Sequence, residues 1–388
     1  MHYTRYHCMF QNQLFGGTAM TTIYLIRHAE AEGNLYRIAQ GQHESILTDR
    51  GWRQVQALER RFEGVHIDAV YTSDLYRTCA TASAICRPRD LKPIRRKDLR
   101  EICVGDWEQR TWGEIYRRTP AQMADFSTHP ERWYVEGAET PAQVRERMLA
   151  ALQEIAAEND GKTVAVFSHG YAIRMVLAAL QGMTLAEAGT TPHGDNTAVS
   201  LLEASHGVLR VIWRDDNAHL QTPEFLAGEK VRRRATALEP GLWFVPLDLQ
   251  AHGAFFEACA AEAWEDAGEK RPFSAQQLLG GVTRRTTLVG FRDEEPVGLV
   301  QMGPAPGWIS LLAIRRAYRG RGFGVQLIGQ AVQLARGRGA QTVRIAPPEE
   351  AAARTFLADY GFAPAETAAA DRTVLEKDIA FRKEFLGD

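Results

Sequence analysis

Strand-like and helix-like segments alternate from Thr22 to about Asp215, and this alternation constrains the fold more than any other feature of the chain. Short apolar strands are predicted at residues 22–26, 69–72, 164–167, 199–202 and 208–213. Helices are predicted at residues 49–62, 75–86, 141–157 and 172–180. Alternation of this kind is typical of a layered α/β domain with a mostly parallel sheet.

The pattern breaks at residues 223–240, a stretch with three consecutive arginines that we predict to be a linker. Since 388 residues are many for a single core, a second domain is expected at residues 241–388. The first domain is predicted at residues 20–222. We expect residues 1–19 to be a dispensable leader, with translation starting at Met20, because they show no clear period and no apolar signal-peptide core.

Composition excludes several classes of protein. The formal net charge is -2 and charged residues make up 24% of the chain, so neither a nucleic-acid surface nor an anionic-membrane surface is indicated. The five cysteines are scattered and form no C-x-x-C pair, which predicts neither a disulfide framework nor a zinc site and fits the cytoplasm. No apolar run approaches the roughly 20 residues of a membrane span.

Several ionisable side chains stand where strands end or helices begin. Arg27 and His28 end the first predicted strand, where they can meet a ligand because open α/β sheets bind ligands outside the carboxyl ends of their strands. His169 ends a later strand, and Gly170 then opens a helix whose free N–H groups favour anions. Further polar residues in loops or early helical positions are Asn34, Arg77 and Glu101.

Phosphoryl transfer explains this combination, because its chemistry is mostly positioning and charge stabilisation around phosphoryl oxygens. Arg27 and Arg77 can each donate two hydrogen bonds to phosphate oxygens, and Asn34 can donate another. A neutral His28 can attack phosphorus, while His169 donates to an equatorial oxygen. Protonated Glu101 can give its proton to the leaving alkoxide and later take one from water. With this much positive charge no metal is needed, and we predict no metal site.

Taken in order, these motifs resemble those of the histidine phosphatase superfamily, the phosphoglycerate-mutase-like group. The motifs are R-H-x-E-x-x-x-N, L-T-x-x-G, S-D-L-x-R-T, L-R-E-x-x-x-G-x-W-E and a late S-H-G, within residues 22 to about 215. The resemblance implies a phosphohistidine at His28 and a phosphate pocket of Arg27, Arg77 and His169. It also implies that Glu101 is the proton donor. Gln40 belongs to a Q-G pair that often borders this pocket.

The chain departs from the family pattern at two positions near the nucleophile. Ala29 stands where glycine is frequent, and Ala31 stands where threonine is common and its hydroxyl could bind substrate. The segment between Trp107 and Thr140 is short and holds no long insertion suited to a lid, which favours hydrolysis over a phosphoglycerate-type mutase reaction, the alternative. Candidate specificity residues are Tyr36, His43 and Trp133.

A second motif lies in the loop Arg319–Gly324, which follows a buried strand and opens a helix. Its glycines allow a ligand to approach the backbone, and the helix N-terminus favours a pyrophosphate. The R-x-x-G-x-G pattern, after an L-A-I strand and before a G-F ending, resembles the GNAT acetyltransferases over residues 241–388. The resemblance implies acetyl-CoA binding, with the pantetheine along the strand, and acetyl transfer to an amine. The implied cofactor contacts are Leu312, Ile314, Arg319, Gly320, Gly322 and Gly324.

This second domain also departs from its family. Glu350 and Leu357 stand where many relatives have asparagine and the thiolate-protonating tyrosine, and Tyr360 is expected to pack. We therefore predict a bifunctional protein in which a phosphoglycerate-mutase-like layered α/β domain precedes a GNAT-like α+β domain. Its expected partners are a small phosphorylated metabolite, acetyl-CoA and a small amine, with no nucleic acid and no membrane. In the alternative, the second domain is a non-catalytic acyl-CoA sensor that regulates the phosphatase.

Overall fold

The computed structural model describes residues 19–229, 241–266, 286–365 and 374–386. The first sheet has the strand order β3-β2-β4-β1-β5-β6. Its strands are β1 Thr21–Arg27, β2 Ala69–Ser73, β3 Ile94–Arg96, β4 Thr163–Ser168, β5 Val199–Ser205 and β6 Val208–Asp216. The first four strands pair in parallel, whereas β5 and β6 are antiparallel. The predicted mostly parallel sheet is therefore confirmed.

Helices cover both faces of this sheet. They are α1 Glu32–Tyr36, α2 Asp49–Arg61, α3 Tyr76–Arg89, α4 Trp112–Arg118, α5 Pro120–Thr128, α6 Pro141–Glu158, α7 Gly170–Leu180, α8 Leu185–Ala188 and α9 Pro223–Ala227. Alternate residues of β4 point to opposite faces, as the period of a strand requires. Val164 and Val166 belong to the core under α6 and α7, and Ala165 and Phe167 belong to the core under α2 and α3.

Helix starts follow from local sequence. The Thr48 hydroxyl accepts a hydrogen bond of 3.0 Å from Gly51 N–H at the start of α2. Thr140 and Gln143 form a capping box at the start of α6, with proline in its first turn. Such contacts satisfy backbone donors that have no partner inside the helix.

The first part of the predicted linker folds onto the first domain instead. Residues 223–227 form α9, in which Phe225 is buried against Ala57 and Leu220. Glu229 forms ion pairs with Arg50 and Arg53 of α2 at 2.8 and 2.7 Å. The prediction that a linker starts at residue 223 was therefore wrong. The arginine run at 232–234 and leader residues 1–18 lie outside the described residues.

The second domain is built on a sheet with the strand order β12-β13-β11-β10-β9-β8-β7. Its elements are β7 Trp243–Pro246, α10 Leu249–Asp266, β8 Thr287–Arg292, β9 Glu295–Met302, β10 Trp308–Ile314, α11 Gly324–Gly337, β11 Thr342–Ile345, α12 Ala351–Asp359, β12 Ala363–Pro364 and β13 Leu375–Asp378. Helix α11 packs on this sheet through residues that include Leu327, Ile328 and Val332.

The two domains share a packed boundary. Tyr36 of α1 is buried in the same cluster as the residues of α11, and Phe385, after β13, packs edge-on against Tyr76 of α3. Gly113 in α4 lies against the backbone of Leu242. Among the described residues, no helix is long and apolar enough to span a bilayer.

Candidate active site

Three adjacent strands bring the predicted catalytic residues together. Strands β2, β4 and β1 are neighbours in the sheet, so their carboxyl ends place Ser73, His169 and the Arg27-His28 pair at one edge. The rings of His28 and His169 are 5.3 Å apart. A cavity of about 340 Å³ opens beside them and is lined by Arg27, His28 and Glu101 among others.

The hydrogen bond of His28 defines its tautomer. Nδ1 lies 2.7 Å from the Ala29 carbonyl oxygen, so Nδ1 carries the proton and the lone pair is on Nε2. The side chain is 3% exposed, and this burial lowers the pKa of His28 well below its usual value, helped by the cations Arg77 and Arg27. His28 is therefore a neutral imidazole with a nucleophilic nitrogen available.

Arg27 is placed to meet an anion. Its Nη1 donates to the Gly194 carbonyl, while its buried Nε has no hydrogen-bond partner among the described residues. Gly170, at the start of α7, makes room for this group, because a Cβ there would lie 3.0 Å from Arg27 Nε. Arg27 and the N-terminus of α7 therefore face the same part of the cavity.

Arg77 and His169 lie behind the nucleophile. Arg77 is fully buried and donates from Nε to His169 Nδ1 at 3.1 Å, from Nη1 to His43 O at 2.9 Å and from Nη2 to Gly41 O at 2.7 Å. Two of its five N–H donors remain. His169 must then carry its proton on Nε2, which lies 2.9 Å from Ser73 Oγ. Neither side chain is among those lining the cavity.

Glu101 is held by backbone N–H groups. Its Oε1 accepts from Ile102 and Ala172 at 3.0 and 2.9 Å, and its Oε2 accepts from Tyr171 at 3.0 Å. One lone pair of Oε2 therefore stays available on the cavity side. The guanidinium of Arg147 fixes the same loop by donating to the carbonyl of Glu101 at 3.0 Å. Sequence reasoning missed Arg147, which has no motif of its own.

The predicted substrate contacts Asn34 and Gln40 both line the cavity. Asn34 Oδ1 accepts from Ala31 N–H at 3.0 Å, which leaves its amide nitrogen as a donor. Both polar atoms of the Gln40 amide are buried without a hydrogen-bond partner among the described residues. Buried polar groups of this kind are usually satisfied, so they point to a ligand.

The candidate specificity residues do not line the cavity. Tyr36 packs at the domain boundary, and Trp133 packs edge-on against Trp107. The backbone carbonyl of His43 accepts a hydrogen bond from Arg77. The wall is formed instead by Trp112, Met123, Phe126, Tyr171 and His193, together with Arg37. The short segment after Trp107 thus supplies two helices, α4 and α5, to the cavity, although it holds no long insertion.

Glu108 is a further residue that sequence reasoning did not assign, although it ends the G-x-W-E motif. Its carboxylate accepts from the backbone N–H groups of Gly41, Gln42 and His43 at 3.1, 2.8 and 3.3 Å. The carbonyls of Gly41 and His43 in turn accept hydrogen bonds from the guanidinium of Arg77. Glu108 therefore holds the loop that positions the buried arginine.

The glycine-rich loop of the second domain contains two glycines in the left-handed conformation. Gly320 and Gly322 have φ values of 73° and 81°, and a Cβ at either would meet nothing within 4 Å. Strand β10 pairs with β11 at Trp308 and Ile309, and its register with β9 shifts after Ile309. The stretch 311–314, which contains the predicted contacts Leu312 and Ile314, pairs with β9 but lies beyond the part of β10 that pairs with β11.

Leu357 belongs to the core of this domain. It is 3% exposed within the cluster that also holds Phe362, and Tyr360 packs edge-on against Phe356. Among the described residues, no group of three His, Cys, Asp or Glu side chains could hold a metal ion.

Comparison with known families settles the class of both domains. Residues 23–217 match the model of the histidine phosphatase superfamily (branch 1). The chain belongs to the histidine phosphatase superfamily. Residues 253–362 match the acetyltransferase (GNAT) family, so the histidine phosphatase domain is followed by a GNAT domain.

Individual relatives match the histidine phosphatase domain. Phosphoserine phosphatase 1 of Hydrogenobacter thermophilus is 30% identical over 43% of this chain and 80% of its own length. A probable phosphoglycerate mutase GpmB of Proteus mirabilis is 32% identical over 42% of this chain and 76% of its own length. The solved structure of Bacillus stearothermophilus YhfR is 32% identical, with a TM-score of 0.50, and covers 52% of this chain and 99% of its own.

Proposed function

We propose that the first domain hydrolyses small phosphomonoesters through a phosphohistidine at His28, without a metal. The observation that carries this proposal is the tautomer of His28, whose Nε2 lone pair is available at the edge of the cavity. The buried, unpartnered Nε of Arg27 supplies an N–H donor for the phosphate.

In the first half of the reaction, His28 Nε2 attacks phosphorus. The P–O bond to the alcohol breaks, its electron pair goes to the leaving oxygen, and Glu101 protonates that oxygen from Oε2. Arg27, together with the N–H groups of α7, stabilises the charge on the equatorial oxygens. Arg77 and His169 hold the geometry from behind, and Arg77 supplies further positive charge.

In the second half, water attacks the phosphohistidine. Glu101 accepts a proton from the water, the P–N bond breaks, and its electron pair returns to Nε2. The alcohol and inorganic phosphate are the products. The mutase alternative differs in that the phosphoryl group returns to another hydroxyl of the same substrate. Release of inorganic phosphate from 3-phosphoglycerate without an isomerised product would exclude it.

The decisive test is capture of the intermediate. The full chain, with EDTA present, is mixed with a phosphorus-32-labelled phosphomonoester and quenched in base, which preserves phosphohistidine. We expect label on the protein and metal-independent phosphate release, both lost in His28→Ala. His66→Ala is the matched control, because the side chain of His66 is 82% exposed. Full activity of His28→Ala would contradict the proposal.

We propose that the GNAT domain binds acetyl-CoA and transfers its acetyl group to a small amine. The residues present fit the cofactor, since the two left-handed glycines leave open space before the N-terminus of α11. Arg319, Gly320, Gly322 and Gly324 would hold the pyrophosphate, and Leu312 and Ile314 would border the pantetheine. The bound cofactor supplies an activated acyl thioester. The burial of Leu357 favours, as the alternative, a domain that binds acyl-CoA without catalysis.

Calorimetric titration with acetyl-CoA tests this second proposal. Gly322→Ala should lower the affinity roughly tenfold or more, because a side chain at φ 81° strains and refolds the loop. Gly339→Ala is the matched control, since Gly339 has φ 77° and equal open space but follows α11. Equal affinity in all three proteins would contradict the loop as the binding site. Acetylation of amines by His28→Ala would exclude a purely regulatory role.

A further inference from the structure

The carbonyl that sets the tautomer of His28 belongs to a peptide unit that is held by a side chain of another element. His28 Nδ1 donates to the Ala29 carbonyl at 2.7 Å. The N–H of the same peptide unit, which is that of Glu30, donates to Gln54 Oε1 of α2 at 2.7 Å. Because a peptide group is planar, fixing its N–H also fixes the direction of its C=O. One rigid group therefore links Gln54 to the nucleophile.

Gln54 is a buried polar side chain that the proposed reaction does not use. It is 1% exposed and is not among the described residues that line the cavity. Burial of an amide is costly unless its polar atoms are hydrogen-bonded. The side-chain oxygen of Gln54 meets this need by accepting from a backbone donor two residues after the nucleophile. Gln54 is therefore placed to act on the nucleophile and not on the substrate.

The start of α2 lies close to this backbone because Gly51 has no side chain. Gly51 is one turn before Gln54 on the same face of the helix, and a Cβ there would lie 2.2 Å from the Glu30 carbonyl oxygen. Thr48 N–H donates to the same carbonyl at 3.0 Å. Glycine is unfavourable inside a helix compared with alanine. The close approach that brings Gln54 to the Glu30 N–H gives a physical reason for it.

The peptide unit before this one is held in a similar way. The His28 carbonyl accepts from Asn196 Nδ2 at 3.0 Å, and the Ala29 N–H donates to Thr81 Oγ1 at 2.9 Å. Side chains of distant elements thus fix two consecutive peptide units after the nucleophile. Gln54 differs from the others because it holds the unit whose carbonyl contacts the imidazole ring.

The direction of that carbonyl decides which nitrogen of His28 can react. A neutral imidazole carries its proton on either nitrogen, and the other nitrogen has the lone pair. A carbonyl turned away from Nδ1 would no longer favour the proton there, and a proton on Nε2 would remove the nucleophilic lone pair. The hydrogen bond to Gln54 also polarises the peptide group, which makes its carbonyl a stronger acceptor.

We propose that Gln54 is a positioning residue for the phosphoryl transfer, and that it keeps His28 in the reactive tautomer through the Ala29–Glu30 peptide unit. The proposal rests on the proposed phosphatase function. Gln54 does not contact the phosphate, so its contribution lies in the rate of attack on phosphorus and not in binding.

Substitutions of Gln54 in the full chain test this role. Gln54→Met removes the acceptor oxygen from a side chain of similar length. Gln54→Glu keeps an acceptor oxygen in either protonation state, so it should restore most of the rate. Gln56→Met is the matched control, because Gln56 lies in the same helix and is exposed. If Gln54→Met does not fold, Gln54→Ser takes its place, since serine is too short to reach the Glu30 N–H and leaves room for water.

Three readouts are combined. Release of p-nitrophenolate from p-nitrophenyl phosphate, with the protein in excess, gives the rate of attack. Competition by inorganic phosphate gives the affinity of the phosphate site. Nitrogen-15 NMR of histidine-labelled protein, with the His28 signals assigned from His28→Ala, shows which ring nitrogen carries the proton. A side chain that only stabilises the fold would not change this tautomer.

In Gln54→Met we expect the rate of attack to fall roughly tenfold to a hundredfold, as for a misplaced catalytic group. The inhibition constant of inorganic phosphate should stay unchanged. The NMR spectrum should show the proton of His28 on Nδ1 in the wild type, in Gln54→Glu and in Gln56→Met, and partly on Nε2 in Gln54→Met.

Several results would overturn the proposal. An unchanged rate in Gln54→Met would do so, as would a lower rate with the wild-type tautomer or equal losses in Gln54→Met and Gln54→Glu. When the wild type forms phosphohistidine, such a result removes the role of Gln54 alone. When the wild type releases no p-nitrophenolate and forms no phosphohistidine, the proposed function fails and this proposal fails with it.

Discussion

The carboxylate of Glu32 and the guanidinium of Arg336 form an ion pair of 2.6 Å across the boundary between the two domains. Glu32 begins α1, the helix that carries Asn34 into the phosphatase cavity. Arg336 lies in the last turn of α11, the helix that starts after the glycine-rich loop of the second domain. One contact therefore links the helices that border both candidate sites.

The two partners should not contribute equally to stability. The side chain of Glu32 is 6% exposed, and burial raises its pKa in spite of Arg336. The ionised form of Glu32 is thus less favourable in the folded than in the unfolded chain. The contribution of Glu32 to stability therefore falls as the pH rises above the pKa that this glutamate has in the unfolded chain. Arg336 is 23% exposed and also donates to the Ile379 carbonyl at 2.8 and 3.1 Å.

We therefore expect Arg336→Met to lower the free energy of unfolding by about 3 kcal/mol, because it leaves a buried carboxylate without its cation. Glu32→Gln should cost less than about 1 kcal/mol, because Arg336 keeps its carbonyl partner. Urea unfolding at pH 7.5 measures both. Arg132→Met, an exposed ion-pair arginine, is the control. Equal losses in the two variants would contradict this account.

The strand-end residues were predictable from sequence, because parallel strands place their carboxyl ends at one edge. The pairing of β1 with β4 and of β4 with β2 brings His28 and His169 together as expected. The same reasoning did not separate residues that line the cavity from those behind it. That distinction depends on side-chain hydrogen bonds such as Arg77 to Gly41, which leave no local pattern in the sequence.

Contacts between distant elements were also beyond sequence reasoning. Residues 223–240 read as a linker because they break the alternating pattern and contain Gly228 and three consecutive arginines, yet Phe225 is buried against α2. Arg37 carries no motif of its own, and its place beside the cavity depends on α4 and on Gly241. The hydrophobic period of either segment does not indicate which distant element it will pack against.

The proposed role of Glu101 predicts a dependence on the leaving group. Glu101→Gln keeps the size of the side chain but cannot give up a proton. For alkyl phosphates, whose alkoxides need protonation, we expect kcat to fall about 10² to 10⁴-fold. For p-nitrophenyl phosphate, whose phenolate leaves as an anion, the loss should be much smaller. Stopped-flow and steady-state rates for both ester classes check this, and an equal loss in the two classes would argue for a structural role.

Buried neutral histidines predict sensitivity to acid. Burial lowers the pKa of His193 to about 3 and of His219 to about 4, while unfolded histidines take up protons near pH 6.5. The unfolded chain therefore binds more protons below that pH, and stability is lost as the pH falls from about 6.5 toward 4, by about 1.4 kcal/mol per pH unit for each such histidine.

The variant His219→Gln tests the contribution of one of these histidines to the proton uptake on unfolding. The His219 ring bonds Arg61 Nη1 at 3.1 Å and Thr197 Oγ1 at 2.9 Å, and glutamine offers a comparable donor and acceptor. Between pH 6 and 4, the proton uptake on unfolding should drop by about one in this variant. Urea unfolding at several pH values measures that uptake. The exposed His66→Gln should leave it unchanged, and an unchanged slope in His219→Gln would show that this histidine is not buried neutral.

Glu108 predicts a loss of catalysis that exceeds the loss of stability. Its carboxylate accepts four backbone N–H groups, from Gly41, Gln42, His43 and Val104. In Glu108→Gln the amide N–H₂ would face some of these donors. The loop whose carbonyls accept hydrogen bonds from Arg77 should therefore shift. A positional error of this kind costs about 10²-fold in rate. We expect kcat for phosphomonoesters to fall by that order with an intact fold, and the exposed Glu59→Gln to behave as wild type. If kcat survives while the unfolding midpoint drops, Glu108 stabilises the loop without positioning the buried arginine.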